Sequence, residues 1–207
     1  MEYQYFKKFN SPMMDDIAKN YAQLKDDFAN NIYTNEHLLK NKPGYKFSDG
    51  VTDLYKGKIL SAALKISTVA LDDDERRIMN WGKDEVYRRG WRLVNLKGPW
   101  ADFMNKWDEQ LEQVFFNIAY PGAEITPHKG IHTRYFRVHV CLQTNPGFYF
   151  DIEGEKKPWV EGPENAFAFD DANLRHGVYY NDMGVNVPRV IAILDVKKEF
   201  YPEMFGL

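Results

Sequence analysis

Two histidines, His128 and His176, are candidate metal ligands. Histidine is the most common side-chain ligand for iron and zinc, because its neutral imidazole donates a nitrogen lone pair. His128 lies in the stretch AYPGAEITPHKGIHTRYFRVHV, residues 119–140, and Gly130 follows it two positions later. Many mononuclear iron sites place a carboxylate at that spacing, whereas glycine has no side chain to donate. The spacing indicates either a metal site without its usual acid or a loop that runs into a strand.

Two arginines are candidate anion-binding residues. In the run RYFRVHVCL, residues 134–142, alternation puts Phe136, Val138, Val140 and Leu142 on one face of a strand and Arg137, His139 and Cys141 on the other. Periodicity alone leaves open whether the polar face of this strand is in solvent. The run RVIAILDV, residues 189–196, is apolar on both faces, which predicts a strand buried on both sides with Arg189 at its start. A buried arginine needs an anion, and its planar fork suits a carboxylate. Two such arginines at the mouth of a barrel predict a pocket for a small dicarboxylate.

From residue 114 onward, the sequence contains short β-rich runs separated by turn signals. The runs are VFFNIAY (114–120), RYFRVHVCL (134–142), GFYFDI (147–152), NAFAFD (165–170), HGVYY (176–180) and RVIAILDV (189–196), and the turn signals are PG, NPG, EGEKKP, EGPEN and NDMG. Closely spaced strands of this kind predict an all-β barrel or sandwich.

Residues 1–113 are expected to be helical or irregular. The predicted helices are one that starts at Ser11-Pro12 with the apolar stripe Ile17, Tyr21, Leu24 and Phe28, and one after Pro99 with Trp100, Phe103, Trp107 and Leu111 on one face. Residues 41–58 are turn-rich and expected to be irregular, and the charged run at 71–77 is expected to be a solvated loop or a first helical turn. We expect the N-terminal half to pack on a β core of residues 114–197, within a single domain of residues 1–207.

Composition and charge exclude several classes of protein. The chain of 207 residues is 44% hydrophobic and 15% aromatic, as in a globular domain with an aromatic-rich interior. Its formal net charge is −3 with interspersed charges, so it has no basic stripe for nucleic acid. The single cysteine, Cys141, excludes an internal disulfide and fits a reducing compartment. No apolar run resembles a signal peptide or a membrane span, and we expect a cytoplasmic protein without a membrane partner.

Several ordered motifs in the C-terminal half carry a resemblance to a known family. The motifs are Tyr120-Pro121-Gly122, Pro127-His128-Lys129-Gly130, Arg137-Val138-His139, Trp159-Val160-Glu161-Gly162, Phe169-Asp170-Asp171 leading to His176, Pro188-Arg189-Val190-Ile191, and Asp195-Val196. Over residues 114–197 they resemble the aspartyl/asparaginyl β-hydroxylase family of iron(II)- and 2-oxoglutarate-dependent oxygenases. Each motif alone is weak, and their combination is fairly specific.

The resemblance implies a fold and a set of site residues. The fold is mainly β with N-terminal helices, a double-stranded β-helix or cupin-like jelly roll, which agrees with the strand pattern. His128 and His176 are implied to bind Fe(II), and Arg189 to bind the distal carboxylate of 2-oxoglutarate. The further co-substrate contacts that the resemblance implies are Arg137, His139 and Asn117, the last at a position where a family member uses a serine.

Gly130 stands where a carboxylate ligand is expected, and three explanations are open. Members of the resembled family with glycine there still hydroxylate, with water in the vacancy. Iron(II)/2-oxoglutarate-dependent halogenases use the same glycine or alanine substitution to bind chloride. A replacement ligand is the third explanation, and the candidates are His132, Asp170 and Asp171. Of these we expect His132 to be a loop residue and the two aspartates to support His176. We favour hydroxylation because the other motifs are hydroxylase-like.

The expected reaction is hydroxylation of an unactivated C–H bond with O₂ and 2-oxoglutarate as co-substrates. The expected substrate is a small amino-acid-like molecule, with an Asp or Asn residue of a polypeptide as the alternative. Arg134, His132 and residues 81–92 either contact a substrate carboxylate or are ordinary surface charges.

Two other classes of protein are open. A non-catalytic cupin-like binding module is disfavoured because the histidines and arginines are all retained, and a zinc hydrolase lacks a third ligand or a positioned base.

Overall fold

The computed structural model describes residues 3–34, 46–51, 54–66, 91–92, 96–130 and 132–205. The solvated loop expected at 71–77 lies outside the described residues, as does the segment 81–92 apart from its last two residues. None of the helices in the described part of the chain has the length and apolarity needed to cross a membrane.

The first helix, α1 (Pro12–Asp27), begins where the sequence predicts it. The Oγ atom of Ser11 accepts a hydrogen bond from the Met14 N–H at 3.2 Å, and Pro12 occupies the first turn, where its missing N–H costs nothing. The chain continues through a π-helical segment, Phe28–Tyr33. The predicted apolar stripe is confirmed: Ile17, Leu24 and Phe28 are buried, and Tyr21 is partly buried against the same core.

The second helix, α2 (Pro99–Lys106), is shorter than expected. Trp107 follows its last turn and Leu111 begins a strand, so the prediction that both continue the helical face is wrong. Trp100 and Phe103 are buried as predicted. The N-terminus of α2 is held by Asp27 of α1, whose Oδ2 atom accepts the Trp100 N–H at 3.0 Å.

The strands are β1 (Lys46–Val51), β2 (Tyr55–Ile66), β3 (Trp91–Arg92), β4 (Leu111–Ala119), β5 (Glu124–His128), β6 (Tyr135–Gln143), β7 (Phe148–Ile152), β8 (Glu155–Pro158), β9 (Phe167–Phe169), β10 (His176–Tyr180) and β11 (Arg189–Lys197). The six predicted runs correspond to β4, β6, β7, β9, β10 and β11. The irregular structure expected at 41–58 is wrong for β1 and for the start of β2, and the turn expected at EGEKKP contains β8. Both β1 and β8 are poor in strand-forming residues, and their antiparallel pairing with β2 and β7 overrides that local preference.

The strands β4 to β11 form two four-stranded antiparallel arrays, in the orders β4-β11-β6-β9 and β8-β7-β10-β5. The first of these eight strands therefore pairs with the last, and the second pairs with the seventh. This pairing defines a double-stranded β-helix, the cupin-like jelly roll, and confirms the expected fold class. Strand β2 joins the arrays at one edge, because it pairs with both β4 and β5.

Apolar clusters cover both faces of the array that contains β6. The outer cluster packs α1 and α2 against Phe136 and Val138, and the inner cluster fills the space between the arrays with Phe150, Phe169 and other aromatic residues. Strand β6 lies between β11 and β9, so it is not an edge strand. Because Phe136 and Val138 face the outer cluster, the alternate residues Arg137 and His139 face the interior.

Asp27→Ala is expected to lower the free energy of unfolding by about 1–3 kcal/mol, because the buried N–H of Trp100 loses its acceptor. Chemical denaturation followed by tryptophan fluorescence measures the change. The exposed neighbour Asp26 provides the control, and Asp26→Ala should stay within about 0.5 kcal/mol of the parent. Equal stability of the two variants would contradict the role given to Asp27.

Candidate functional site

The strand pairing brings the two candidate metal ligands together. His128 ends β5 and His176 begins β10, and the two residues are partners in the antiparallel register. Their ring centroids lie 4.5 Å apart. Residues separated by almost fifty positions in the chain thus present imidazoles to one place at the rim of the barrel.

Backbone carbonyls fix the tautomer of both imidazoles. The Nδ1 atom of His128 lies 2.9 Å from the carbonyl oxygen of Thr126, and Nδ1 of His176 lies 2.8 Å from that of Leu174. A carbonyl oxygen only accepts hydrogen bonds, so both Nδ1 atoms carry a proton, and in the neutral ring the lone pair is then on Nε2. Burial lowers the pKa of His128, which favours its neutral form. Both side chains are therefore prepared to bind a metal through Nε2.

A carboxylate faces one of these lone pairs. Asp171 Oδ1 lies 3.2 Å from Nε2 of His176, and the Asp171 side chain is almost fully buried. Burial opposes its ionisation, yet the charge of Arg137 lowers the pKa of Asp171 well below its usual range. A cation on or beside Nε2, either a proton or a metal ion, makes this contact favourable. A divalent metal ion bound by the two Nε2 atoms would satisfy the carboxylate as well, so the residues fit a metal ion.

The same carboxylate fills the space beside Gly130. The Gly130 N–H donates to the Asp171 carbonyl oxygen at 2.8 Å, and a Cβ atom at position 130 would lie 1.7 Å from Asp171 Oδ2. Asp170 instead accepts hydrogen bonds from Lys198 and Asn173, at 2.9 and 2.8 Å. Within the described residues, no group of three or more His, Cys, Asp or Glu side chains is arranged to hold a metal ion. The metal donors that the fold preorganises are the two imidazoles, with Asp171 beside them.

Arg137 is held between two carboxylates. Its Nε and Nη2 atoms donate to Asp195 at 2.7 and 3.0 Å, and its Nη1 atom donates to Asp171 at 2.7 Å. Asp195 is fully buried, and burial raises its pKa to about 6 while Arg137 opposes that shift. Gln113 completes the contacts of Asp195 by donating to Oδ2 at 3.0 Å. The expected contact of Arg137 with a co-substrate remains a prediction, with two of the five guanidinium N–H groups left to make it.

Arg189 is a buried cation without a carboxylate partner among the described residues. It is 1% exposed, and its Nη2 atom donates to Asn117 Oδ1. The guanidinium carbon lies 4.2 Å from the ring centroid of Trp159, and its Nε atom has no hydrogen-bond partner in the described structure. Burial lowers the pKa of Arg189, because the charge is costly there without an anion. The arrangement suits the carboxylate of a ligand.

His139 lies close to this arginine, in an aromatic wall. Its ring centroid is 5.0 Å from that of Phe150 and 5.2 Å from that of Phe169. Burial, with the charges of Arg137 and Arg189, lowers the pKa of His139 well below its usual value, so the ring is neutral. The Nδ1 atom of His139 has no partner among the described residues. Buried polar atoms without partners are rare and costly, so these orphaned groups indicate that a polar ligand belongs here.

Sequence reasoning missed three contributors to the site. Trp159 stacks on Arg189, Asp195 holds Arg137, and Ser61 of β2 accepts a hydrogen bond from Asn117 at 3.2 Å. Asp195 could have been predicted as a partner of Arg137, because pairing β6 with β11 in register places the two residues opposite each other on the inward faces. Nothing in the sequence pattern pointed to Ser61, because its region was expected to be irregular or helical.

Comparison with known proteins identifies the family. The family model described as aspartyl/asparaginyl beta-hydroxylase matches residues 85–199, more than half of the 207 residues. The chain belongs to this family. Aspartate beta-hydroxylase domain-containing protein 1 from Mus musculus is 31% identical over 91 residues, which are 44% of this chain and 24% of that protein. The Homo sapiens protein of the same name is 31% identical over 91 residues, covering 44% and 22%. The chain therefore spans less than a quarter of the length of these relatives in the matched region.

Solved structures resemble the chain more distantly. An oxidoreductase of the 2OG-Fe(II) oxygenase family from Burkholderia pseudomallei is 13% identical with a TM-score of 0.43, covering 96% of this chain and 97% of that one. A viral collagen prolyl hydroxylase from Paramecium bursaria Chlorella virus-1 is 12% identical with a TM-score of 0.38, covering 94% and 96%. A predicted oxalate decarboxylase from Thermotoga maritima is 12% identical with a TM-score of 0.41, covering 75% and 94%. Because the TM-scores of these structures lie below 0.5, the fold assignment rests on the strand pairing and not on the likeness to them.

His128→Ala and His176→Ala should each weaken binding of Co(II) to the metal-free protein by more than about tenfold, because each removes one of the two Nε2 donors. The visible absorbance of Co(II) measures the binding. His132→Ala removes a nearby imidazole outside the pair and should leave the affinity unchanged. Loss of Co(II) binding in the His132 variant, or its retention in either of the others, would contradict the assignment of the pair.

Proposed function

We propose that the protein is an Fe(II)- and 2-oxoglutarate-dependent oxygenase that hydroxylates an unactivated C–H bond. The observation that carries this proposal is the arrangement of two Nε2 lone pairs beside an ionised carboxylate, on the same barrel interior as a buried arginine that lacks an anion. A metal ion and an acidic co-substrate would satisfy both demands at once. Membership in the aspartyl/asparaginyl beta-hydroxylase family supports the same reaction class.

His128 and His176 would hold Fe(II) through Nε2. Iron(II) with bound 2-oxoglutarate supplies the oxidising chemistry, in which O₂ converts a C–H bond to C–OH while 2-oxoglutarate is converted to succinate and CO₂. The protein contributes binding, orientation and exclusion of water. The carbonyl oxygens of Thr126 and Leu174 orient the two imidazoles, which keeps their lone pairs converged before the metal arrives.

Arg189 would bind the distal carboxylate of 2-oxoglutarate. Its orphaned Nε atom offers a donor, and Asn117 holds the other side of the guanidinium. His139 would offer a further polar contact to the co-substrate through its unpartnered Nδ1. A charge-assisted bond to a buried arginine is worth more than one in water, so this end of the co-substrate would anchor the molecule while its other end meets the metal.

The aromatic wall would limit access of water to the reacting centre. The rings of Phe150 and Phe169 lie 5.6 and 5.0 Å from the ring of His176, centroid to centroid. Both phenylalanines are buried in the inner apolar cluster. Such packing holds the second histidine ring rigidly and keeps the interior at low dielectric, where fixed dipoles and charges orient ligands most strongly.

The substrate we propose is a small amino-acid-like molecule, with an Asp or Asn residue of a polypeptide as the alternative. The description of the family model, aspartyl/asparaginyl beta-hydroxylase, supports an acidic or amide-bearing substrate. We favour hydroxylation over halogenation because the other motifs of the C-terminal half are hydroxylase-like and the matching family model is a hydroxylase model. A non-catalytic binding module is disfavoured because the histidines, Arg189 and Asn117 are all in place.

Anaerobically reconstituted protein, exposed to air with 2-oxoglutarate and a panel of amino acids and peptides, tests the proposal. Formation of succinate should require Fe(II), and mass spectrometry should find one substrate that gains a single oxygen atom. A gain of chlorine instead of oxygen would contradict hydroxylation. Absence of iron-dependent succinate with every substrate, and without substrate, would favour the binding module.

Arg189→Met should weaken 2-oxoglutarate binding by roughly 10- to 100-fold, the equivalent of losing a charge-assisted hydrogen bond. The free energy of unfolding without ligand should change little, because removal of a costly buried cation opposes the loss of the donor to Asn117 Oδ1. Calorimetry with the Co(II)-loaded protein measures the affinity. The exposed Arg175 provides the control variant, Arg175→Met. Unchanged affinity in Arg189→Met would remove this arginine from the co-substrate pocket.

A further inference from the structure

The two four-stranded arrays leave two seams between them, and strand β2 closes only one. Strands β8 and β9 are the two ends of the path of paired strands, and within the described residues they do not pair with each other. Residues 3–9, the N-terminal strap, lie across this second seam. The strap lies outside residues 85–199, which the family model matches. The closure of the second seam is therefore supplied by a part of the chain that the family model does not match.

The N-terminal strap is attached to both edges of the seam. Lys7 and Ala168 of β9 exchange two backbone hydrogen bonds, both 2.8 Å long. The N–H groups of Gln4 and Tyr5 donate to the two carboxylate oxygens of Glu155 in β8, at 2.9 and 3.0 Å. Four hydrogen bonds are fewer than the continuous ladder that joins β2 to β4. The strap is therefore the weaker closure, and we expect it to open locally before the barrel unfolds.

A partly buried lysine of β8 adds to the attachment. The Nζ atom of Lys157 lies 5.0 Å from the ring centroid of Tyr3 and 5.5 Å from that of Phe6, both in the strap. The same Nζ atom lies 4.8 Å from the ring centroid of Phe167 in β9. Ammonium groups over aromatic faces at such distances are attracted by the ring quadrupole. One cation thus joins β8, the strap and β9.

Phe6 of the strap passes through the seam into the barrel interior. It is 6% exposed and belongs to the inner apolar cluster. Its ring centroid lies 5.0 Å from that of Phe167 and 6.1 Å from that of Phe150, both in edge-to-face geometry. Phe9 belongs instead to the outer cluster, where its ring centroid lies 5.0 Å from that of Phe136. The strap therefore places one phenylalanine on each face of the array that ends in β9.

The rings that contact Phe6 also surround His139. The ring centroid of His139 lies 5.0 Å from that of Phe150 and 5.3 Å from that of Phe167. Its Nδ1 atom has no partner among the described residues, so no hydrogen bond at that atom fixes the ring. The two imidazoles of the metal pair differ, because backbone carbonyl oxygens orient them. The orientation of His139 therefore depends more on aromatic packing than that of the metal pair does.

We propose that Phe6 is a positioning residue for the co-substrate, and that the N-terminal strap must be closed for 2-oxoglutarate to bind tightly. Phe6 acts through Phe150 and Phe167 on the ring of His139. This inference rests on the proposed function, in which His139 contacts 2-oxoglutarate. It gives the N-terminal part of the chain a role in the site.

Phe6→Leu should weaken binding of 2-oxoglutarate to the Co(II)-loaded protein by about five- to tenfold, as measured by calorimetry. The affinity for Co(II) itself should stay within about twofold of the parent, because the metal pair is held by carbonyl oxygens. A parallel loss of Co(II) affinity would mean general loosening of the barrel and would overturn the inference.

Phe9→Leu is the matched control, because it shortens an equally buried ring of the same strap on the outer side. Chemical denaturation should show a similar loss of stability in the two variants. Phe9→Leu should nevertheless bind 2-oxoglutarate as the parent does. Equal losses of co-substrate affinity in Phe6→Leu and Phe9→Leu, or no loss in Phe6→Leu, would contradict the positioning role.

A thermodynamic cycle tests whether the effect passes through His139. His139→Leu removes the polar ring and should itself weaken binding of 2-oxoglutarate. In the His139→Leu background, Phe6→Leu should weaken this binding by less than about twofold further, because the two residues act through one contact. A full additional loss in the double variant would show that Phe6 acts by another route and would refute the proposal.

Glu155→Ala tests the closure of the strap without changing Phe6. The N–H groups of Gln4 and Tyr5 lose their acceptor, so hydrogen exchange at the Lys7 and Ala168 amides should become faster. Affinity for 2-oxoglutarate should fall in the same direction as in Phe6→Leu. Unchanged exchange, or faster exchange with the affinity of the parent, would each contradict the role of the strap.

Failure of the proposed function gives a different result from failure of this inference. If the Co(II)-loaded parent does not bind 2-oxoglutarate, the proposed function is wrong, and the inference fails with it. If the parent binds 2-oxoglutarate and Phe6→Leu binds it equally well, the inference alone is wrong.

Discussion

The antiparallel pairing of β5 with β10 is the constraint on which the site depends. It places His128 opposite His176, and each ring is then oriented by the carbonyl oxygen two residues before it. These backbone acceptors leave both Nε2 lone pairs free and convergent. A shift of the register by one residue would turn one imidazole to the other face of its array. The closed double-stranded β-helix prevents such a shift, because both strands have a neighbour on each side.

The barrel interior combines an aromatic core with ions that are costly to bury. Arg137 is compensated within the protein by Asp171 and Asp195, whereas Arg189 has an amide partner and an aromatic face but no carboxylate among the described residues. The difference between the two arginines supports the proposal that Arg189 binds a ligand. On that proposal, the protein gives up stability for binding, as functional sites commonly do.

Much of this arrangement could be predicted from the sequence. Strand periodicity located six strands of the barrel, alternation in β6 put Arg137 and His139 on one face without deciding whether it lies inside, and the ordered motifs indicated the family. Strands β1 and β8 were missed because long-range pairing, not local propensity, forms them. The motifs indicated that Asp171 supports His176, but the approach of its carboxylate to Gly130 was beyond sequence reasoning, because it depends on how two distant turns meet. The pairing of Arg137 with Asp195 was within reach, because it follows once β6 and β11 are paired in register.

The most direct measurement is an anaerobic absorbance titration of the metal-free protein, first with Fe(II) and then with 2-oxoglutarate. Our account predicts a weak visible charge-transfer band that appears only when both are present, because the two imidazoles leave positions on the metal for the co-substrate. Iron that binds without any band on addition of 2-oxoglutarate would contradict the account. So would a protein that retains no iron, since the paired histidines would then not form a metal site.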